Sequence, residues 1–274
     1  MANITLASFA DGGVFPIDAA AQILNTGLSA APVFSALTPR STSRSSVSFP
    51  TGSPDGFDWT AELGTIPSVN PNDDAAVVAM TKIAGLVLLG NESVADTDLN
   101  LTDEVGRLIA ESMAPKADRD LVYGPTPANA AGPAGFFSSL TQVEEATLRA
   151  AVVQACADIM TAGGTPTTVL LSPALWAAEV TRRETTTAAS GMLDDLGIPL
   201  TVTVAATLAA TDALVLDKAG CFGITRNDYS IEASGQSGDA WSKDGVSLRV
   251  KARLGVAIPA PAKHARSVAV AAGT

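Results

Sequence analysis

The longest apolar run in the chain is AAVVAMTKIAGLVLLG, residues 75–90. It is shorter than the roughly 18–20 residues that a membrane-spanning helix needs, and it carries Lys82. Its Val, Ile and Leu content predicts a long strand. A second stretch, VSLRVKARLGVAIP at 246–259, alternates: Val246, Leu248 and Val250 fall on one face, Ser247, Arg249 and Lys251 on the other. That is the pattern of a strand with one buried side. The first constraint on the fold is therefore a pair of long strands separated by most of the chain.

What lies between them mixes helices and strands. Thr102 opens a helix with Val105, Leu108, Ile109 and Met113 on one face. Pro115 interrupts it, yet Ala117 and Leu121 continue the face, so the spacing predicts a kinked helix ending near Gly124. PTPANAAGPAG, 125–135, reads as loop. Thr141-Gln-Val-Glu144 has the form of a capping box, predicting a helix from there to Gly163-Gly164. TTVLL reads as a buried strand, Ser172-Pro173 as an N-cap with proline at the first helical position, and GIPLTVTV and DALVLD as further strands. Upstream, Pro16 to Leu28 is helix-like behind an extended segment, 1–14. Such mixing predicts an α+β fold.

The candidate chemistry sits in FDWTAELGTIPSVNPND, 57–73. FDWTAEL reads as a short strand, with Phe57, Trp59 and Ala61 on one face and Asp58, Thr60 and Glu62 on the other. Together with STSRSSVSFP, 41–50, and the turn-forming TGSPDG, 51–56, it predicts a long hairpin. Asp58 and Glu62 are the residue types of a carboxylate-dependent hydrolase. Four residues apart on one strand face, their Cα atoms stand ~13 Å apart, beyond the ~5–9.5 Å that separates paired glycosidase carboxylates. A hairpin arm clamping a neighbouring molecule suits the same residues better. The single histidine, His264, stands beside Lys263 and Arg266, which disfavour the imidazolium of a catalytic base. No phosphate-cradling glycine motif and no metal-ligand cluster is present in the sequence, so no cofactor and no metal is expected.

Composition supports the clamp. Charged residues make up 16% of the chain and hydrophobic ones 47%, against roughly 25% charged in an ordinary soluble domain. So thin a polar skin fits burial against other subunits, and an alanine-rich genome is the alternative source of the same composition. The net charge of −11 argues against non-specific nucleic-acid binding. Acid and base are also unevenly placed. Residues 51–100 hold eight acidic residues and Lys82 as their one base, while 245–274 hold five bases and no acid. These regions can pair within a chain or between chains. Cys156 and Cys221 form no disulfide framework and are read as buried hydrophobes. MANITLASFA lacks a basic n-region and a long apolar core, so no signal peptide is expected.

The order of these segments resembles the major capsid proteins of tailed bacteriophages, the Hong Kong 97-like fold family. VSFPTGSPDGFDWTAELGTIPSVN resembles the family's extended hairpin arm (E-loop), and DDAAVVAMTKIAGLVLLGNESVADT the strand after it, with a Glu-x-x-x-Asp step at Glu92 and Asp96. The helix from Thr102 to Tyr123 is similar to the family's long spine helix, followed by GPAGFF. TTVLLSPALWAAEV, LGIPLTVT and LRVKARLGVAIPAPAKHARSV resemble the later steps, and the match covers about residues 15–270.

The resemblance implies an N-terminal arm with a short helix at 1–37 and a hairpin arm at 38–73. It implies a peripheral domain at 74–140 and 244–258, and an axial domain at 141–243 and 259–274. It implies a homo-oligomer of hexamers and pentamers closing an icosahedral shell around double-stranded DNA, assembled in the bacterial cytoplasm, with no membrane involved. The partners it implies are a portal, a separate scaffolding protein and a decoration protein. Phe57, Trp59 and Ala61 then press on the adjacent subunit, and Asp58 and Glu62 face solvent or basic residues there, with Arg40 and Arg44 as candidate partners. Some members crosslink a hairpin-arm lysine to a neighbour, but residues 41–81 contain no lysine, which argues against that route. An encapsulin-like cellular compartment is the alternative with the same fold. The extended Met1–Phe15 segment favours the phage shell over it.

Overall fold

In the computed structural model, the residues described are 31–51, 57–68, 75–90, 101–127, 131–185, 197–226, 230–236 and 238–270. The expected extended segment 1–14 and the helix at Pro16–Leu28 lie outside them. The strands are β1 Thr38–Thr42, β2 Ser46–Pro50, β3 Ala75–Ala79, β4 Thr81–Gly90, β5 Gln142–Glu145 and β6 Thr168–Leu171. They continue with β7 Thr201–Val204, β8 Asp212–Leu216, β9 Phe222–Arg226, β10 Ser230–Ser234, β11 Gly245–Ala257 and β12 Ala265–Val270. The helices are α1 Pro32–Ala36, α2 Leu101–Tyr123, α3 Leu148–Thr161, α4 Pro173–Thr185 and α5 Pro261–His264.

The two long strands foreseen from the sequence are antiparallel neighbours: β11 pairs with β4 from Gly245↔Gly90 to Leu254↔Thr81. The other edge of β11 takes β10 and then β9, and β1 adds to β9 in parallel. The alternation in β11 sorts the two faces of this sheet. Val246, Leu248, Val250, Ala252 and Leu254 are buried. Leu254 packs with Phe34 of α1 and with Ala114, Ala117 and Leu121 of α2. The expected face of the long helix is thus correct in its second half, where Ala117 and Leu121 meet the core. The helix runs through Pro115 as one element.

On the opposite face lies a two-stranded ribbon, β2 paired with β3. Phe49 of the ribbon, with Val47 and Val78, packs on Ile224, Phe222 and Ala257. Gly255 makes this close approach workable. A Cβ there would stand 2.5 Å from Met80 Cε. Helices, sheet and ribbon therefore form three layers.

A second sheet has the order β5-β12-β8-β6-β7. On one face α3 buries Ala151, Val152, Ala155, Cys156 and Ile159 against Val169, Leu171, Val215 and Val268. From the other face, Leu170, Leu214 and Leu216 join Val33 of α1, Leu37 just after it and Val122 of α2. The short helix α1, which sequence reasoning missed, is thus wedged between the two sheets.

Three expectations are corrected. FDWTAEL forms no strand: residues 57–61 are irregular and a turn follows at 62–63. The partner of β2 is β3, the first part of the apolar run, because Val47 and Phe49 find matching apolar residues in Val78 and Ala76. The run itself divides at Met80, whose N–H donates to Ser45 O at 2.9 Å, so its two halves serve different sheets. The third correction concerns Thr141–Glu144, which does not cap a helix. Gln142–Glu145 is strand β5, paired in parallel with β12, and the cap of α3 is Thr147, whose Oγ1 accepts from Ala150 N–H. Ladder bonds to β12 outcompeted the local capping geometry.

Candidate intersubunit surface

The ribbon projects a long connection between β2 and β3, of which residues 57–68 are described. Within it the Asp58 carboxylate accepts the Trp59 N–H at 2.8 Å, and Gly64 N–H donates to Ala61 O at 2.8 Å, closing a tight turn. Leu63 sits in that turn at φ 62°, a left-handed conformation that costs an L-residue roughly 1–2 kcal/mol. The side chains face water. Trp59 is 100% and Phe57 78% exposed, and Leu63 and Ile66 are exposed with them. Burying side chains of this size contributes about 1.5–3 kcal/mol each, none of which is realised in a single chain. Asp58 and Glu62 are exposed as well. The expected division into an apolar and a polar face is therefore absent from the lone chain.

The two arginines stay at the base of the arm. The Arg40 guanidinium lies 4.3 Å from the centroid of the Phe222 ring and 5.6 Å from that of Phe49. Those rings stack on each other at 5.1 Å. Arg40 thus serves its own chain, sealing the ribbon to the sheet through a cation–π contact. Arg44 occupies the β1–β2 turn, its N–H donating to Thr42 Oγ1 at 3.1 Å. Among the described residues, neither arginine forms an ion pair with Asp58 or Glu62. A cavity of about 550 Å³ lies between the start of β4, helix α2 and residues 125–127 and 131–133, containing the Lys116–Asp120 ion pair at 2.8 Å. Neither Asp58 nor Glu62 lines it.

Two buried polar constellations escaped the sequence reading. Asp118, 1% exposed, accepts the Phe34 N–H at 2.8 Å, the Val33 N–H at 3.2 Å and the Thr207 hydroxyl at 2.7 Å. One carboxylate on α2 thereby closes the open start of α1 and holds the loop after β7. Burial pushes its pKa up, and the hydrogen bonds from Thr207, Phe34 and Val33 only partly offset that. A signal was present in the sequence: Asp118 stands beside Ala117 in an apolar stripe, where a solvated charge does not belong. The second constellation centres on His264. Its Nδ1 lies 2.8 Å from Asp217 Oδ2, and its ring lies flat against Gly220, where a Cβ would stand 2.1 Å from the imidazole. Asp217 also accepts the Thr165 and Ala219 N–H groups. Burial pushes the Asp217 carboxyl up, but these donors outweigh it and hold it below the usual range. Meanwhile Arg266 turns to the carbonyls of Pro261, Ala262 and Ala265. Cys156 and Cys221 are buried free thiols, pushed up by burial to about 11 and about 12.

The three-layer body thus carries an apolar arm that a single chain leaves exposed. The family model for phage capsid proteins matches residues 12–263. The chain belongs to the phage capsid family and is a structural capsid subunit of Hong Kong 97-like fold. Among solved structures it is similar to a chain of Mycobacterium phage Adephagia, with 17% identity, 89% of this chain and 91% of that chain covered, and a TM-score of 0.70. It is similar to the capsid of a native GTA particle at 15% identity, covering 88% and 90%, with a TM-score of 0.65. A virus-like particle from Pyrococcus furiosus follows at 12% identity, 92% and 98% coverage and a TM-score of 0.63. These likenesses establish the fold. No curated protein matches the sequence.

Proposed function

We propose that this chain self-assembles into hexamers and pentamers that close an icosahedral phage head around double-stranded DNA, and that it does so without catalytic turnover. The observation that carries the proposal is the segment 57–66, where Phe57, Trp59, Leu63 and Ile66 meet solvent on an arm anchored by Arg40, Phe49 and Phe222. In this reading the arm is a clamp. Trp59 and Phe57 press on the adjacent subunit, and Asp58 and Glu62 meet its basic residues. Arg44, exposed in the turn at the arm's base, is a further contact. The peripheral domain centres on the β11 sheet with α2, and the axial domain on the β12 sheet with α3. A separate scaffolding protein, a portal and a decoration protein are the partners such a head uses, and assembly takes place in the bacterial cytoplasm.

The test is negative-stain electron microscopy of the purified chain, alongside light scattering for mass. Closed shells, or rings of five and six, are the expected result, and Trp59→Ala reduces their yield. A chain that stays monomeric at high concentration and in the presence of scaffold overturns the proposal.

A further inference from the structure

Strand β4 has β11 on one side, and among the described residues no strand pairs with its other edge. The cavity of about 550 Å³ is lined there by Thr81, Lys82, Ile83 and Ala84, four residues in a row. Successive side chains of a strand point to opposite faces, so a cavity lined by four in a row runs along the strand's edge. On such an edge every second residue turns its N–H and C=O outward. Helix α2 supplies another wall through Ala117 and Leu121. Pro125, Pro127 and Pro133 also line the cavity, and a proline has no N–H to give to the edge. Past the cavity the edge continues in the open. A Cβ added at Gly85 would meet nothing within 4 Å, and Leu86 is 69% exposed. The stretch 81–90 holds no proline and Lys82 as its one charge. A long apolar edge with so little to block it is a template for a further strand.

We infer that this edge and the cavity beside it take an extended acidic segment of a separate partner protein, added to β4 as a strand. The inference goes beyond the shell reading, because the site is complete in a single subunit. The two faces of β4 state what the segment must carry. Ile83 turns to the helix side and packs with Ala117, Leu121 and Leu254. A strand residue beside Ile83 meets that apolar wall, and the small side chain of Ala117 leaves it room. Lys82 and Ala84 turn to the opposite face, where both are exposed. Lys82 has no carboxylate partner among the described residues. Lys116, its side chain 58% exposed, is paired with Asp120. The cavity lining therefore holds two cations and one carboxylate, on a chain whose net charge is −11. A segment that alternates apolar and acidic residues satisfies both faces, with an apolar side chain beside Ile83 and a carboxylate beside Lys82. Main-chain hydrogen bonds to the edge supply the affinity, and the alternate side chains supply the selectivity. A second β4 is the wrong occupant, since 81–90 carries no acid and would set Lys82 against Lys82 or against apolar residues.

The test is fluorescence anisotropy of a labelled hexapeptide alternating valine and glutamate, titrated with dispersed subunits of the full chain, so that shell formation does not enter the readout. Saturable binding at low salt is the expected result. Lys82→Glu, a change at an exposed position, weakens it about tenfold, and added salt weakens binding to the wild-type chain. The same peptide with alternate amides N-methylated keeps its side chains, loses the strand hydrogen bonds and does not bind. A hexapeptide alternating valine and lysine does not bind either. Location is read by disulfide trapping. Ala84→Cys forms a mixed disulfide with a peptide carrying a central cysteine, and Leu108→Cys does not. The native thiols of Cys156 and Cys221 are buried and stay out of the reaction. Absence of saturable binding by the wild-type chain overturns the inference, and so does binding that Lys82→Glu leaves unchanged. Equal binding of the N-methylated peptide means charge capture with no added strand and overturns it too. Subunits that ignore the peptide and instead crosslink to one another through Gly85→Cys assign the edge to a second copy, against the inference.

Discussion

Asp118 and Trp59 are both residues out of place by the usual rules, and the comparison between them separates folding from assembly. Asp118 is a charge in the core, yet every neighbour it needs comes from its own chain: two backbone N–H groups of α1 and a hydroxyl beyond β7. Trp59 is a large apolar ring in full solvent, and nothing among the described residues of its own chain covers it. The first is complete in one copy. The second becomes complete only with another. Substitutions at the two places therefore change different equilibria, and measuring both equilibria for each variant sharpens the contrast or breaks it.

The largest effect on the isolated subunit is expected at the core. Asp118→Ala leaves the Val33 and Phe34 N–H groups buried without an acceptor and lowers unfolding stability in urea by about 3 kcal/mol. Gly220→Ala follows, because the added methyl drives the His264 ring off Asp217. Overpacking of this kind costs roughly 1–3 kcal/mol, and the displaced imidazole appears as a shifted ring resonance in NMR. Arg40→Ala removes the cation from the Phe49–Phe222 stack and costs about 1 kcal/mol, measured by thermal unfolding. Trp59→Ala comes last, within roughly 0.5 kcal/mol of wild type in the isolated chain. In assembled shells the order reverses at its ends: Trp59→Ala weakens the shell most. If Trp59→Ala destabilises the lone subunit as much as Asp118→Ala does, the comparison fails.

The two buried aspartates also give opposite pH signs. The folded pKa of Asp217 lies below the ordinary 3.8, so its contribution to stability is present above that value and lost as pH falls through the lower one. Asp118 has a folded pKa above 3.8, so the folded chain holds its proton more tightly and this site's share of stability declines as pH rises through that window. Urea titrations across about pH 3–5 are expected to show a shallower acid-side loss for Asp217→Asn than for wild type. An unchanged slope means that His264, Thr165 and Ala219 do not hold Asp217 in its ionised form.

Much of this architecture was legible before any coordinates. The alternation of 246–259, the proline-capped helix after Ser172 and the buried TTVLL strand each rest on local rules, and each holds. Thr141–Glu144 failed because a parallel neighbour, β12, supplied ladder bonds that no local pattern reveals. FDWTAEL failed for a related reason. Its alternation was real, but β2 found a better partner in β3. Of the candidate surface, Phe57 and Trp59 were legible as an apolar pair in a polar segment. Arg40 was legible as a cation at the base of the arm, but its place against the rings of Phe49 and Phe222 was not.

The sequence by itself determined the element types, the apolar faces and the shortage of surface charge, because these follow from the period and composition of short stretches. Only the tertiary structure decided which strand meets which, which charges are spent inside the chain and which face of the β11 sheet stays open. Those outcomes depend on residues far apart in the chain competing for the same hydrogen bonds and the same apolar surface.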